Sequence, residues 1–86
     1  MPEALIRRVI AKESEGNARL VRKGNYGLMQ IRLGTAREMG FTGSGSGLLD
    51  PDTNLKYAVK YLAGALRAAG GDEDRALHNY QRGYKD

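Results

Sequence analysis

The sequence predicts a compact fold that is mainly or wholly α-helical (all-α). Apolar residues recur at three- and four-residue steps in three stretches, near residues 5–10, 55–66 and 76–80. Proline, aspartate and glycine stand at the ends of these stretches, where helices commonly start and stop. No stretch alternates polar and apolar residues for long enough to demand a sheet. We therefore expect a few helices that pack around one small core.

The first helix is predicted over residues 3–14. Pro2 is tolerated in a first helical turn, and Glu3 is favourable at the positive end of the helix dipole. Gly16 marks the end of the apolar pattern. Residues 15–26 contain several turn formers, so we expect a loop there.

The middle of the chain is predicted as two short helices and a linker-like loop. Residues 28–31 form a short apolar run, which periodicity alone assigns to either a helical turn or a strand. Residues 35–39 make another helical turn, which Gly40 closes, and we favour helix for both runs. The Gly-Ser-Gly-Ser-Gly sequence at 43–47 is typical of a mobile linker, but it is too short to separate domains.

A central packing helix is predicted over residues 52–69, because Asp50 and Pro51 give the clearest helix start in the chain. A last helix is predicted over residues 73–82, with Asp72 as its cap. Helical spacing predicts that five apolar residues form the core stripe of the central helix: Leu55, Ala58, Val59, Leu62 and Leu66.

Length and composition indicate a single domain over residues 1–86, with a small core and no cysteine for a disulfide. The formal net charge is +4, but the basic residues form no long run, so we expect no nucleic-acid partner. His78 has no cluster of ligands around it, which predicts no metal site, and we expect no cofactor. No segment approaches the roughly 20 apolar residues that span a bilayer, and the start lacks a secretory signal. We expect a soluble monomer, and a processed form or excised domain if its substrate lies outside the cytoplasm.

Glu13 stands at the end of the apolar stripe of the first helix. With Ile6, Val9 and Ile10 it recurs at three- and four-residue steps, so the four side chains share one face. A carboxyl group that faces a core near the negative end of a helix dipole tends to hold a proton, as a general acid must. Helical glutamates are mostly surface residues, however, so the stripe alone leaves both interpretations open.

Three short motifs follow one another along the chain. They are Glu-Ser at 13–14, Gly-Leu-Met-Gln at 27–30 and Tyr-Gln-Arg-Gly at 80–83. In this order and spacing they resemble the lysozyme-like catalytic domain of the soluble type of lytic transglycosylases, which cleave peptidoglycan. The resemblance extends over about residues 5–83. It implies a lysozyme-like helical fold and, as a partner, the glycan strands of peptidoglycan.

The resemblance also implies roles for individual residues. Glu13 is the position of the sole catalytic acid, and Ser14 is expected to lie beside the bound sugar. Met29 and Gln30 are expected to contact the glycan from the cleft wall, and Tyr80 is expected near the acid. These roles rest on the family pattern, because Met29 alone would be interpreted as a core residue.

Two positions depart from the family's Ala-Tyr-Asn-Ala-Gly motif. Gln81 stands in place of the asparagine and Arg82 in place of the second alanine. We expect Gln81 to contact the substrate, through a polar contact that is lengthened or lost relative to the family. Tyr26, just before the second motif, either stacks on a sugar ring or closes the loop, and the sequence does not separate these roles.

The number of candidate carboxylates in the sequence affects which mechanism of glycosidic bond cleavage is possible. Most glycosidases use two, one as acid and one as base or nucleophile. Glu38, Asp50 and Asp52 are the candidates for a second one, and the two aspartates are better explained as helix caps. The resemblance implies a mechanism with one carboxyl group, in which Glu13 protonates the glycosidic oxygen and then deprotonates the C6 hydroxyl of N-acetylmuramic acid.

The expected activity is therefore that of a peptidoglycan lytic transglycosylase. It would cleave the β-1,4 bond between N-acetylmuramic acid and N-acetylglucosamine and leave 1,6-anhydromuramic acid ends. Two alternatives stay open, namely a hydrolytic lysozyme (muramidase) and a weakly active or inactive peptidoglycan-binding domain. The inferred substrate predicts a periplasmic or extracellular location.

Overall fold

The computed structural model describes residues 1–83 of the chain and bears out the mainly α-helical prediction. Within these residues, helices and short strands follow in this order: α1 (Glu3–Glu13), β1 (Val21–Arg22), β2 (Asn25–Tyr26), β3 (Ile31–Arg32), α2 (Leu33–Glu38), a 3-10 helix (Gly45–Leu49), α3 (Pro51–Ala68) and α4 (Glu73–Arg82). No helix in this part of the chain is long and apolar enough to cross a bilayer.

Helix α1 buries the Leu5 and Val9 side chains, one helical turn apart, and ends close to the predicted position. Ser14 closes the helix, because its Oγ donates to the Ile10 carbonyl at 3.3 Å and accepts from the Gly16 N–H at 3.1 Å. The last residue of the helix is therefore Glu13 itself.

The prediction of a loop over residues 15–26 and of a helix over residues 28–31 is wrong in part, because a small antiparallel sheet forms there. Its three strands pair in the order β1-β2-β3. Lys23 and Gly24 connect β1 to β2, both with positive φ, as a tight two-residue hairpin turn requires. Each strand has two residues, so no alternating pattern of period two is long enough to be recognised.

The predicted short helix at 35–39 is confirmed as α2, which begins two residues earlier, but the linker-like segment at 43–47 is not a simple loop. Part of it forms the 3-10 helix, which buries Leu48. A Cβ atom at Gly45 would lie 2.6 Å from Cζ of Tyr26, so the glycine is needed for this close contact. The glycines of residues 43–47, which resemble a linker in the sequence, permit close packing in the structure.

The central helix is confirmed as α3, which packs against α2, α4 and the 3-10 helix. Asp50 caps it by accepting from the Thr53 N–H at 3.0 Å, and hydrogen bonds from Thr53 hold the pKa of Asp50 below its usual value. The predicted stripe is confirmed: Ala58 and Leu62 are buried in the core, and Leu55, Val59 and Leu66 are half-buried and pack against it. Because α3 has neighbours on several sides, its buried face includes further residues: Asn54, Tyr61, Gly64 and Ala65.

Helix α4 agrees with its prediction in position and cap. Asp72 accepts from the Arg75 N–H at 3.1 Å, and Ala76 and Tyr80 are buried. The Tyr80 ring meets the Tyr61 ring of α3 edge to face, with centroids 5.4 Å apart. This contact holds the C-terminal end of α4 against α3, and Gln81 joins the same end to Glu13 of α1.

Candidate active site

A cavity of about 500 Å³ lies where the ends of α1 and α4 meet β3 and α2. Of the seven residues that the sequence analysis assigned to catalysis or substrate contact, four line it, namely Glu13, Gln30, Tyr80 and Gln81. The other lining residues come from the sheet and three helices: Asn25, Ile31, Arg32, Thr35, Glu38, Tyr61, Arg82 and Gly83. The cavity is of the size that small-molecule sites usually have.

Glu13 is half-buried and presents its carboxylate to this cavity rather than to the core. Its Oε2 accepts a hydrogen bond from Nε2 of Gln81 at 3.2 Å. Its main-chain carbonyl accepts from Nη2 of Arg22 in β1 at 3.2 Å. The residue is therefore held by the last turn of α4 on one side and by the hairpin on the other.

The Tyr80 hydroxyl is committed to a main-chain contact. It is buried and donates to the Met29 carbonyl at 2.7 Å. Burial, and after it the nearby charge of Glu13, raises the pKa of Tyr80 far above its usual range, so the hydroxyl remains a hydrogen-bond donor. Tyr80 thus ties the turn at 27–30 to α4, next to the acid.

Gln30 is buried and has a positive φ of 53°, which is uncommon for a residue other than glycine. Its Nε2 donates to the carbonyls of Leu20 and Gly27, both at 2.9 Å. Both donor hydrogens of the amide group therefore hold the loop. The side chain can offer a ligand in the cavity only its carbonyl oxygen without giving up these bonds.

Asn54 is fully buried and organises the same turn from α3, although the sequence analysis did not select it. Its Oδ1 accepts from the Met29 N–H at 3.0 Å, and its Nδ2 donates to the carbonyls of Tyr26 and Leu48, each at 2.8 Å. The signal that would have found it is its position one helical turn before Ala58 on the buried face. A polar residue at such a position needs hydrogen-bond partners.

Three residues expected at the substrate lie outside the lining of the cavity. Ser14 is buried, and its hydroxyl caps α1. Met29 is fully buried in the core, and Tyr26 is half-buried against Gly45. These three side chains therefore contribute to the packing around the cavity and not to its lining.

The cavity also contains charged residues that bear on its chemistry. Glu38 lines it from α2, as the second carboxylate beside Glu13, and Arg32 and Arg82 supply two positive charges. Within residues 1–83, no three His, Cys, Asp or Glu side chains come together as a metal site requires.

Comparison with known proteins identifies the family. The chain matches the family model described as "Transglycosylase SLT domain" over residues 1–86. It therefore belongs to the transglycosylase SLT domain family. It is 43% identical over 67 residues to the endo-type membrane-bound lytic murein transglycosylase A of Cronobacter sakazakii, across 69% of this chain and 33% of that protein.

The protein of the same name from an Enterobacter species is similar to the same extent, with 43% identity over 67 residues. The chain spans about a third of the length of these curated relatives. No solved structure matches the chain at a significant level.

Proposed function

We propose that this chain is a peptidoglycan lytic transglycosylase domain that cleaves the bond between N-acetylmuramic acid and N-acetylglucosamine. The observation that carries the proposal is the Glu13 carboxylate on the wall of the 500 Å³ cavity, held by Gln81. Membership of the transglycosylase SLT domain family and the names of the two relatives support it. Because the substrate lies outside the cytoplasm, we propose a periplasmic or extracellular site of action.

The proposed reaction uses Glu13 first as acid and then as base. Protonated Glu13 gives its proton to the glycosidic oxygen, and the bond from this oxygen to C1 of the muramic sugar breaks. The Glu13 carboxylate then takes the proton of the C6 hydroxyl, and the C6 oxygen bonds to C1. The products are a 1,6-anhydromuramic end and a free 4-hydroxyl on N-acetylglucosamine. No water is consumed, and Glu13 ends protonated again.

The neighbours of Glu13 have positioning roles in this proposal. Gln81 donates to one carboxylate oxygen, which fixes the rotation of the group and leaves its other oxygen for the substrate. Tyr80 donates to the carbonyl of Met29 and Asn54 accepts from its N–H, and these two bonds fix the main chain of the turn beside the cavity. We propose that Gln30 and Gln81 contact the substrate through side-chain atoms that are not already hydrogen-bonded within the protein.

Replacement of Glu13 tests the proposal directly. Purified peptidoglycan is incubated with the wild-type chain, with Glu13→Gln and with Glu15→Gln, and the soluble fragments are measured. Glu15 is exposed and does not line the cavity, so its variant controls for the loss of one acidic group. We expect release from the wild type and Glu15→Gln, and a loss of at least about 100-fold in Glu13→Gln. Undiminished release by Glu13→Gln would refute the assignment, and binding without release would favour a peptidoglycan-binding domain.

A hydrolytic lysozyme is the second candidate function, because Glu38 lines the same cavity as Glu13. In a hydrolase of the two-carboxylate type, the second group activates water or attacks the sugar. The variant Glu38→Gln separates the candidates: a hydrolase that uses Glu38 should lose most of its turnover. The one-carboxyl mechanism predicts that Glu38→Gln keeps turnover within about threefold, because Glu38 is exposed and takes no part in the proton transfers.

A further inference from the structure

The pairing of the short sheet places a row of polar and basic side chains beside the cavity. Arg22 of β1 pairs with Asn25 of β2, and Asn25 in turn pairs with Arg32 of β3. Directly paired residues share one face of a sheet, so the three side chains form a continuous row. Its first member donates to the Glu13 carbonyl, and its other two members line the cavity.

Arg82 adds a second positive charge to the cavity, from the last residue of α4. It occupies the position at which the family motif has alanine, so this charge is a property of this chain. Its Nη1 lies 3.2 Å from Nε2 of His78, a contact in which no carboxylate neutralises the guanidinium charge. Among residues 1–83, the ion pairs are Arg7–Glu3 and Arg8–Asp74, and neither Arg82 nor Arg32 takes part in one.

Among the described residues of the lining, Arg32 and Arg82 are the positively charged side chains and Glu13 and Glu38 the acidic ones. The acid step of the proposed reaction requires a proton on Glu13, and Glu38 has an interaction of its own. The two guanidinium groups, which take part in no ion pair with residues 1–83, are therefore available to an anionic group of the substrate.

We propose that Arg32 and Arg82 form a subsite for a free carboxylate on the peptide substituents of the glycan. The inference rests on the proposed function and adds a preference among peptidoglycan substrates. Guanidinium groups suit this ligand, because their planar N–H donors match the two oxygens of a carboxylate. The two arginines of the row on the sheet, Arg22 and Arg32, attract this anion towards the cavity whose lining includes Glu13.

The experiment compares native peptidoglycan with peptidoglycan whose free carboxylates have been amidated. Initial rates are measured over a range of substrate concentrations for the wild type, Arg32→Gln, Arg82→Gln and the control Arg67→Gln. Arg67 is exposed on α3 and does not line the cavity, so its variant removes a charge without changing the site. We expect the wild type and the control to prefer native substrate by about tenfold in kcat/KM, mainly through KM, and each cavity variant to lose most of that preference.

The same comparison in a binding assay separates failure of this inference from failure of the proposed function. Sedimentation with native or amidated peptidoglycan is repeated with Glu13→Gln, alone and combined with Arg32→Gln or Arg82→Gln. A preference for native material that disappears with either arginine supports the subsite, whether or not the wild type cleaves. An equal response to both substrates in the wild type, or a preference that both arginine variants keep, overturns it. Absence of cleavage by the wild type counts only against the proposed function.

Discussion

At the scale of single residues, Glu13 owes its position to contacts from distant parts of the sequence. The hydrogen bond from Gln81 joins residues 68 positions apart, and the bond from Arg22 to the Glu13 carbonyl joins α1 to the hairpin. The local contribution comes from Ser14, which caps α1 directly after Glu13. Glu15, two positions on, is exposed.

The amide of Gln81 should matter to the rate rather than to the fold. Replacement by alanine removes the donor to the Glu13 carboxylate at an exposed position, where little packing is lost. We expect kcat for peptidoglycan to fall about three- to tenfold, because one exposed hydrogen bond to a charged group is worth about 1 kcal/mol. The control is Asn79→Ala, on the same helix but outside the cavity lining. Equal kcat values in Gln81→Ala and the wild type would show that the contact does not position the acid.

The Tyr80 hydroxyl should contribute mainly to stability. Tyr80→Phe leaves the buried Met29 carbonyl without this donor, which should lower the free energy of unfolding by about 1–3 kcal/mol. Urea denaturation measures the change. Tyr57→Phe is the matched control, since the Tyr57 hydroxyl makes no hydrogen bond to any residue of the described part of the chain. A Tyr80→Phe protein as stable as this control would contradict the role given to the hydroxyl.

The site residues show what motif matching can predict. It selected Glu13 and Gln81, whose side chains meet at the cavity, because residue identity and order carry that information. It did not give the direction of side chains: Ser14 turns back to cap its own helix, and Met29 turns into the core. Such directions depend on the tertiary packing, which a short motif does not contain.

At the scale of elements, the turn at 27–30 is the feature that brings the strands, α3 and α4 together. Tyr80 reaches it from α4, and Asn54 reaches it from α3. Gly27 permits this convergence, with φ of 74° and a position where a Cβ atom would lie 2.6 Å from the Leu48 carbonyl oxygen. Glycine is required there for both its conformation and its size.

Two glycine substitutions test this interpretation. Gly27→Ala should lower the free energy of unfolding by about 2–5 kcal/mol, because it combines a positive φ with an overlap against main chain and Asn54. Gly34→Ala is the control, since Gly34 lies in α2 with open space at its Cβ position. It should raise stability by about 0.5–1 kcal/mol through its helix propensity. Thermal or urea unfolding of both variants checks the prediction, and a Gly27→Ala protein with wild-type stability would contradict it.

The helices α1 to α4 were predictable, whereas the two-residue strands and the 3-10 helix were not. α1, α3 and α4 each have a start signal and several turns of apolar periodicity, and their predicted positions agree with the structure. The two-residue strands and the 3-10 helix contain too few residues for a period to appear. The conformation of these short elements depends on hydrogen bonds to neighbouring segments rather than on a periodic pattern of their own.

At the scale of the whole molecule, the candidate site forms only when the two ends of the chain come together. Glu13 belongs to the first helix and Gln81 to the last one, and the cavity between them is closed by the sheet and α2. The site shares its support with the hydrophobic core, because Met29, Tyr61 and Tyr80 all belong to the core cluster. We therefore expect a substitution that loosens the core to disturb the geometry of the candidate site as well.

The most direct test of the central claim is the mass of the fragments that the wild-type chain releases from purified peptidoglycan. If Glu13 acts alone as acid and then base, the new ends are 1,6-anhydromuramic acid, lighter by one water than hydrolytic ends. We expect these lighter fragments from the wild type and none from Glu13→Gln. Reducing muramic ends one water heavier, or anhydro fragments that persist in Glu13→Gln, would contradict it.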